Sequence, residues 1–295
     1  MANILSFEKR IHIISALVEG SSIRSTARML CVDKETVMHL GRDIGLACIK
    51  LHDRLVTRVH SRYIEIDEIW GFVGVKEKRK GKRHPPSFGD TYTFFAIDPE
   101  TKLVPAYRTG KRSLMTATKF MRDLRSRVVG RPQMSVDGWP HWAESVRRTF
   151  GHNGVHLGST VKEYQKEGRK GDPAGNYGRV KSQERTTIYG TPETELISTS
   201  IAERLNLTTR MRQRRLTRLT NAFSKKTKNL KAAMGLHFMH YNFVRVHEAL
   251  GMTPAVAAGI AKHRWFLEDL VREAIKEGGL TVPEKARPAK AAPCA

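Results

Sequence analysis

The stretch from Tyr63 to Val75, YIEIDEIWGFVGV, constrains the fold more than any other part of the chain. Apolar and β-branched residues recur through it, which is typical of a strand with a mostly buried middle. Asp67 and Glu68 interrupt this pattern where a core strand would carry Val or Ile. A carboxylate buried in a strand is costly unless it is paired or holds a metal. One interpretation is that Asp67 lies at the solvent-exposed end of the strand or pairs with an arginine. The other is that it is a metal-binding carboxylate at the centre of a nuclease-type sheet.

The charge of the chain favours a polyanionic partner. Lys and Arg number 52 against 29 Asp and Glu, a formal charge of +23 over 295 residues. Such an excess attracts nucleic acid first and a membrane surface second. No apolar run approaches the roughly 20 residues of a membrane-spanning helix, and the N-terminus lacks the apolar core of a signal peptide. The three cysteines form no CxxC pair that would indicate a zinc site. We expect a cytoplasmic protein without a membrane contact.

Residues 7–48 predict a compact helical unit, with helices over 7–17, 23–30 and 34–45 separated by short turns. The second and third helices have apolar residues spaced for packing at a steep angle. This arrangement resembles a helix-turn-helix, whose second helix would lie in a major groove. Cys31 stands where such turns usually carry Gly. A small helical bundle without groove contact is the alternative. If the unit is a helix-turn-helix, the residues that face DNA are Lys34, Glu35, Thr36, His39 and Arg42.

From Tyr63 onward the pattern predicts the element order β-β-β-α-β-α-β. Strands are expected over 63–75, 92–97, 103–107, 133–136 and 155–160, with helices over 113–129 and 141–150. This is the order of ribonuclease-H-like folds, which place carboxylates on the first and fourth strands. Asp67 and Asp137 occupy those two places. The predicted fold class is α/β, a ribonuclease-H-like mixed sheet flanked by helices and preceded by an all-α helix-turn-helix domain.

The second half of the chain contains a long basic segment. Residues 161–200 are poor in apolar residues, and we predict an irregular basic stretch there. A long helix is expected from Ile201. Between Arg204 and Lys231 there are ten basic residues and no acidic one, which suits a helix that faces phosphates. In a continuous helix one face would carry Arg210, Arg214, Arg218 and Lys225, and Leu216, Leu219 and Phe223 would form an apolar stripe.

Glu203 is the candidate for a third carboxylate, in the first turn of that helix with Asn206 and Arg210 on the same face. The alternative is a capping box, because Ser200-Ile201-Ala202-Glu203 has the sequence of one. Glu184, Glu193 and Glu195 are rival carboxylates in the preceding loop. Three converging carboxylates could hold two Mg²⁺ ions about 3.5–4 Å apart. Hard oxygen ligands suit Mg²⁺ or Mn²⁺ and not zinc.

Four segments resemble the DDE transposases of bacterial insertion sequences, of the insertion-sequence-one type. They are IDEIWGFVG, SVDGW, ERLNLTTRMRQRRLTRLTNAFSKK and HYNFVRVHEALGMTPA, and the resemblance runs from about Tyr63 to Gly259. It implies that Asp67, Asp137 and Glu203 are the catalytic and metal-binding triad, with two Mg²⁺ or Mn²⁺ ions. The implied activity is DNA strand cleavage and transfer at terminal inverted repeats. The implied setting is the bacterial nucleoid, with the chain as a homodimer or higher homo-oligomer on double-stranded DNA.

The predicted domains are a helix-turn-helix at 1–48, a connector at 49–62, a catalytic domain at 63–232, C-terminal helices at 233–278 and a disordered tail at 279–295. The N-terminus departs from the resemblance because it lacks the cysteine zinc motif that often precedes the helix-turn-helix. Two other functions stay open, a ribonuclease-H-type nuclease without strand transfer and a non-catalytic, domesticated DNA-binding protein. The predicted DNA contacts are Lys34, Thr36, His39, Arg42, Arg204, Asn206, Arg210, Arg214, Arg218 and Lys225.

Overall fold

A computed structural model describes residues 5–164 and 180–281. Within them the chain contains both α-helices and β-strands. The helices are α1 Phe7–Val18, α2 Ile23–Met29, α3 Lys34–Leu55, α4 Leu114–Arg127, α5 His141–Phe150, α6 Ser200–Arg212, α7 Thr227–Met239, α8 Pro254–Ala257 and α9 Leu267–Gly278. The strands are β1 Val59–His60, β2 Tyr63–Val73, β3 Gly89–Ile97, β4 Tyr107–Gly110, β5 Val128–Val129, β6 Gln133–Val136, β7 His156–Tyr164 and β8 Val180–Tyr189. None of the helices in this part of the chain is long and apolar enough to cross a membrane.

A mixed sheet with the strand order β4-β3-β2-β6-β7-β8 lies at the centre of the described residues. Strands β2, β3 and β4 form an antiparallel meander, and β2 then pairs in parallel with β6. Strand β7 is parallel to β6, whereas β8 is antiparallel to β7 at the edge. Apart from the two-residue β5, which pairs with β1 outside this sheet, the order of strands and helices from β2 to β7 follows the predicted order and is consistent with a ribonuclease-H-like arrangement. The predicted mixed sheet flanked by helices is therefore confirmed.

The two faces of β2 pack against different pairs of helices. Ile64 and Ile66 point into a core formed with α4 and α5, where Trp142 is fully buried. Ile69 belongs to the opposite core, which α6 and α7 cover with residues such as Phe238. Since side chains alternate between faces along a strand, Glu65 and Asp67 share the face of Ile69 and point toward α6.

The N-terminal helices pack against the C-terminal ones rather than standing alone. Ile14 and Ile44 share a core with Leu236 of α7 and Leu270 of α9. Helices α3 and α7 approach so closely that a Cβ added at Gly45 would overlap the carbonyl of Ala232. Helix α3 also continues unbroken to Leu55, so the predicted boundary at residue 48 falls inside a helix. The division of the chain into domains stays a prediction.

The predicted turn between the second and third helices is present. Helix α2 ends at Met29, α3 begins at Lys34, and the Asp33 side chain caps α3 by accepting from the backbone N–H of Glu35 at 2.7 Å. Cys31 adopts a φ of +48°, the left-handed conformation for which such turns usually use Gly. The geometry suits a helix-turn-helix, but the DNA-reading role of this unit stays a prediction.

The third strand of the meander is displaced from its predicted position. It was expected over 103–107 and runs instead from Tyr107 to Gly110. The reason lies in a side chain from a distant segment. The Asn242 amide accepts from the Val104 N–H at 3.0 Å and donates to the Val104 carbonyl at 2.9 Å, so the backbone there is paired without a strand.

Two predictions for the second half of the chain are wrong. Residues 180–189 form the edge strand β8 and are not irregular, while the rest of the predicted irregular stretch lies partly outside the described residues. The long basic helix is not continuous, because α6 ends at Arg212 and the next α-helix begins at Thr227. Between them Leu216 is buried against Gly71 of β2, which requires the chain to turn onto the sheet.

The predicted disordered tail begins at residue 279, but its first residues are ordered. Leu280 packs against the helical core, and the Thr281 carbonyl accepts from Arg10 at 2.7 Å. Residues 282–295 lie outside the described residues.

Candidate metal centre and nucleic-acid interface

Three carboxylates from two neighbouring strands converge where the pairing between β2 and β6 ends. Asp67 and Glu68 come from β2, and Asp137 directly follows β6. Each offers an oxygen within 4.8 Å of the others. The parallel pairing of β2 with β6 stops at Glu65 opposite Ser135, two residues before each of Asp67 and Asp137. The structure thus brings Asp67 and Asp137 together as predicted and adds Glu68, which interrupts the apolar pattern of the strand but was not predicted as a site residue.

Glu68 is held in place by an arginine. The Nε of Arg112 donates to Oε1 of Glu68 at 2.6 Å, and the guanidinium also lies 4.6 Å from the ring centre of Trp139. The Glu68 side chain is only 6% exposed, and burial raises the pKa of its carboxyl. The charge of Asp137 raises this pKa further, whereas Arg112 lowers it. The other oxygen, Oε2, is buried without a hydrogen-bond partner among the described residues.

Asp67 accepts hydrogen bonds at both of its carboxylate oxygens. Oδ1 accepts from the backbone N–H of Glu68 at 2.7 Å, and Oδ2 accepts from Nδ2 of Asn206 at 2.6 Å. Burial raises the pKa of Asp67 to about 8, against the opposing effect of the Glu68 N–H. The negative charges of Glu68, Asp137 and Glu203 raise it further. Asn206, a predicted DNA contact, donates from its amide nitrogen to Asp67, and its contact with DNA stays a prediction.

The side chains of this cluster fit a hard divalent cation. Glu68 Oε2 and Asn206 Oδ1 are buried oxygens without hydrogen-bond partners in the described part of the chain. A buried polar atom without a partner is costly, and a cation would satisfy it. The raised pKa of Asp67 shows that its ionised form lacks a compensating positive charge in this pocket. A cation bound there would supply that charge and favour the ionised carboxylate. With oxygen ligands only, the cluster suits Mg²⁺ or Mn²⁺ better than zinc.

Glu203, the predicted third carboxylate, is not a member of this cluster. It is exposed, and its Oε1 accepts from Nζ of Lys162 on β7 at 2.7 Å and from the Thr199 hydroxyl at 3.0 Å. Its charge nevertheless contributes to the raised pKa of Asp67. The predicted capping box is not formed, because the N-cap residue is Thr199 and not Ser200, and the Thr199 side chain accepts no hydrogen bond from the helix backbone.

The rival carboxylates have other roles or positions. Glu193 accepts a hydrogen bond from the Tyr63 hydroxyl at 2.8 Å. Glu184 lies on the edge strand β8 opposite Val161, and Glu195 is exposed in a short turn of 3₁₀-helix. None of the three belongs to the carboxylate cluster found in the described residues.

Glu65 fixes the helix that carries Glu203 and Asn206. Its buried carboxylate accepts from the backbone N–H of Ala202, in the first turn of α6, at 2.8 Å. Burial raises the pKa of Glu65, while the N–H groups of Ala202 and Ile201 lower it. The alternation of β2 could have revealed this residue, since Glu65 lies two positions before Asp67 and on the same face. Lys162 and Arg112, by contrast, lie far from Asp67 in the chain and carry no local signal.

The basic segment runs along the chain from within α6 to the first turns of α7, and its residues do not share one helix face. Arg204, Arg214, Arg218 and Lys225 are exposed. Arg210 is half-buried, and its Nη1 donates to the Leu216 carbonyl at 3.1 Å; its contact with DNA stays a prediction. The predicted alignment of Arg210 with the three residues that follow is wrong, since α6 ends at Arg212.

The predicted DNA-reading residues lie in the first turns of α3. Lys34 and His39 are exposed and Thr36 is half-buried. Arg42 is also half-buried, and its Nε donates to the neighbouring Asp43 at 2.7 Å. Their roles in DNA binding stay predictions.

No protein-family model matches the chain, and a comparison with curated proteins gives no match either. Among solved structures, the chain is similar to the Mos1 strand transfer complex, with 18% identity, a TM-score of 0.22 and coverage of 53% of this chain and 59% of that one. A Mos1 paired-end complex with the left transposon end gives 18% identity, a TM-score of 0.22 and coverage of 53% and 60%. A pre-cleavage Mos1 transpososome gives 12% identity, a TM-score of 0.31 and coverage of 95% and 81%.

The chain thus spans about 60% of the length of the first two of these structures. At TM-scores this low, the likeness carries no information on the reaction or the partners of this chain.

Proposed function

We propose that the chain is a DNA transposase that cleaves DNA strands and joins them to a target, at the terminal inverted repeats of an insertion sequence. The observation that carries this proposal is the convergence of Asp67, Glu68 and Asp137 where the pairing of β2 with β6 ends, beside the helix of Glu203. A highly basic segment follows this helix directly, as a polynucleotide substrate requires. The proposed family is the DDE transposases of the bacterial insertion-sequence-one type, acting on the nucleoid in the cytoplasm.

The proposed cofactor is Mg²⁺ or Mn²⁺, in two ions. Asp67, Glu68 and Asp137 would hold the first ion, and Asp67 with Glu203 the second. For Glu203 to take part, its carboxylate must exchange Lys162 for a cation. When bound, such ions activate the attacking oxygen and stabilise the leaving oxygen at a phosphodiester. Arg112 keeps Glu68 in position, and Asn206 orients the Asp67 carboxylate.

The proposed DNA contacts divide into two groups. Lys34, Thr36, His39 and Arg42 at the start of α3 would read the terminal repeat in a major groove. The exposed residues of the basic segment would position the DNA through its phosphates. We further propose a homodimer or higher homo-oligomer, because joining the two ends of a mobile element needs both ends in one assembly.

A cleavage assay with variants of the carboxylates tests the proposal. We expect Mg²⁺-dependent cutting of a supercoiled plasmid that carries the element's ends, followed by joined products. Asp67→Asn, Asp137→Asn and Glu203→Gln should each abolish cutting while the affinity for DNA stays unchanged. Glu195→Gln is the matched control, because this exposed carboxylate lies outside the cluster. Normal cutting by the Glu203→Gln variant would remove this residue from the triad, and cutting without joined products would identify a nuclease.

A non-catalytic DNA-binding protein is the second candidate, and one observation favours it. The carboxylate of Glu203 is already paired with Lys162, and Asp67 is already bonded to Asn206. A protein that uses these groups only for structure would show the same contacts. It would bind DNA with the same affinity in EDTA and in Mg²⁺ and would leave the plasmid intact.

A further inference from the structure

Leu219 breaks two rules of protein structure at the same position. Its side chain is 99% exposed, which is unusual for a large apolar residue. Its φ is +56°, in the left-handed region that leucine rarely adopts. A strained backbone that presents an apolar side chain to solvent persists only where the surrounding structure holds it, and such strain concentrates at functional sites. Neither feature takes part in the carboxylate site described above.

The loop that carries Leu219, residues 213–226, is firmly attached to the sheet at both of its ends. On one side Leu216 is buried, and a Cβ added at Gly71 would lie 2.7 Å from its Cδ2. On the other side the ring of Phe223 lies 4.7 Å from that of Phe72. The carbonyl of Ser224 then accepts from the Gly74 N–H at 2.9 Å. The loop therefore presents Leu219 from a fixed base.

A half-buried arginine links the two ends of this loop. Nη1 of Arg215 donates to the Ser224 hydroxyl at 3.1 Å, and the Thr217 hydroxyl donates to the Arg210 carbonyl at 3.1 Å. These bonds close the loop on itself and on α6, and Leu219 lies between Thr217 and Ser224 in the chain with its side chain in solvent.

The surroundings of Leu219 identify the kind of partner. The side chains of Arg214, Arg218, Lys225 and Lys226 are exposed on the same loop. No acidic residue occurs between Arg204 and Lys231, so the charge of the segment has a single sign. A protein surface would have to be strongly acidic to cover this loop, whereas a nucleic acid offers phosphates for the basic groups and stacked bases for the apolar one.

We propose that Leu219 is a wedge that inserts between neighbouring base pairs of double-stranded DNA and unstacks them. Apolar side chains that enter the minor groove in this way kink the duplex. The basic residues of the loop would hold the flanking phosphates. This inference rests on the DNA binding of the proposed function and adds a deformation of the DNA to it.

The loop is attached to the strand that carries the carboxylate site, so unstacking by Leu219 would occur near that site. The loop is anchored at Gly71, four residues beyond Asp67 on the same strand and the same face. At about 3.3 Å per residue, the anchor lies roughly 13 Å from the carboxylate site. Unstacking within a few base pairs of that site would free a strand to bend toward the carboxylates.

Fluorescence of 2-aminopurine tests the wedge directly, because this base brightens when it loses its stacking neighbours. We would use a set of short duplexes, each with 2-aminopurine in place of adenine at a different position, and the full-length protein in EDTA so that no strand is cut. We expect the wild-type protein to raise the fluorescence of one or two neighbouring positions. Leu219→Ala should retain less than half of this increase, and Leu219→Met should retain most of it.

Two controls separate insertion of Leu219 from a general loss of apolar surface and from a loss of phosphate contacts. Leu207→Ala removes another exposed apolar side chain, from α6, and should leave the fluorescence increase unchanged. The slope of log affinity against log salt should be the same for wild type and Leu219→Ala, because no phosphate contact is lost.

The possible failures are distinguishable. If wild-type protein binds none of the duplexes, both the wedge and the proposed function are wrong. If it binds them without brightening any position, or if Leu219→Ala brightens them equally, the wedge alone is wrong. A change in the oligomeric state of Leu219→Ala in solution, with unchanged fluorescence, would assign the residue to a contact between protein chains and would also overturn the wedge.

Discussion

The carboxylate of Glu65 accepts a hydrogen bond from the backbone N–H of Ala202 at 2.8 Å, which joins β2 to the first turn of α6. Together with the bond from Asn206 to Asp67, this contact ties the strand that carries Asp67 and Glu68 to the helix that carries Glu203 and Asn206. The N-terminus of a helix favours a negative charge, since its first N–H groups have no partner within the helix. Glu65 thus supplies from the sheet what an N-cap side chain usually supplies from the helix itself.

Loss of this contact should destabilise the protein. We expect Glu65→Ala to lower the free energy of unfolding by about 1–3 kcal/mol, because it leaves a buried N–H without its acceptor. Glu65→Gln keeps an acceptor oxygen and should cost less. Urea unfolding followed by circular dichroism measures both. Glu195→Ala, at an exposed position, is the control and should change stability little; an equal loss in all three variants would contradict the special role of Glu65.

The raised pKa of Asp67 predicts that cation binding depends on pH. With a pKa of about 8, the carboxyl is mostly protonated at pH 7 in the cation-free protein, and a cation must displace that proton. The affinity for Mn²⁺ should therefore rise as the pH increases from 6 to about 8 and level off above it. Titration calorimetry in buffers of different ionisation enthalpy measures both the affinity and the released proton.

Asp67→Asn is the informative variant for this pH dependence. It cannot release a proton from this position, so its remaining Mn²⁺ affinity should be weaker and should vary less with pH. Glu195→Gln should behave as the wild type does. A wild-type affinity that is constant between pH 6 and 8 would show that Asp67 is already ionised in the cation-free protein.

Two buried histidines predict a loss of stability in acid. Burial lowers the pKa of His237 to about 3 and that of His52 to about 3, each from 6.5. Between pH 3 and 6.5 these histidines bind more protons in the unfolded chain than in the folded one. Their contribution to the free energy of unfolding is therefore fully present above pH 6.5 and is lost as the pH falls toward 3. Each histidine can contribute at most about 1.4 kcal/mol per pH unit to this decline. Urea unfolding at a series of pH values measures it.

A glutamine at position 237 cannot be protonated and should reduce this decline. His237 also bonds the Thr209 hydroxyl at 3.2 Å, so His237→Gln is expected to be less stable than the wild type at neutral pH. The prediction concerns only the slope of stability against pH. His39→Gln, at an exposed position on α3, should leave both the slope and the stability unchanged; an unaltered slope in the His237→Gln variant would contradict the assigned pKa.

The exposed basic residues of the loop predict a salt-dependent affinity for DNA. Each phosphate contact contributes about 0.9 to the slope of log affinity against log salt. An Arg214→Ala, Arg218→Ala double variant should therefore lower this slope by up to about 1.8. The effect should be the same for terminal-repeat and random duplexes, because phosphate contacts carry no sequence information. Thr36→Ala offers the contrast, since it should weaken binding to the repeat more than binding to random DNA.

The sequence predicts the elements that have strong local signals. Helix α5 and strand β6 have their predicted bounds, because Pro132 and Pro140 precede them and Gly151, with a φ of +69°, ends the helix. Strand β8 was missed because it lies at the edge of the sheet, where charged residues are tolerated and apolar alternation is weak. The continuous basic helix was wrong for a different reason. The burial of Leu216 against Gly71 is a long-range contact that overrides helical spacing.

In the carboxylate site, too, the residues with a local sequence signal were predicted and those that depend on long-range contacts were not. Asp67 and Asp137 were predictable because each interrupts or ends an apolar strand. Glu68 was hidden by its position beside Asp67, since neighbouring residues of a strand point to opposite faces and rarely meet at one site. The ion pair between Lys162 and Glu203 joins residues 41 positions apart in the chain, and no local pattern indicates it.

The close contact of α3 with α7 at Gly45 has a mechanical consequence. A helix of 22 residues extends about 33 Å, and here one end carries the proposed DNA-reading residues while the remainder is embedded in the core. Under the proposed function, α3 holds the DNA-reading residues at a constant distance from the core, because the helix is continuous and packed along its length. One base pair inserted between the recognised sequence and the cleaved bond would shift the DNA by about 3.4 Å. No flexible joint within α3 could absorb that shift, so the spacing would be read as strictly as the bases themselves.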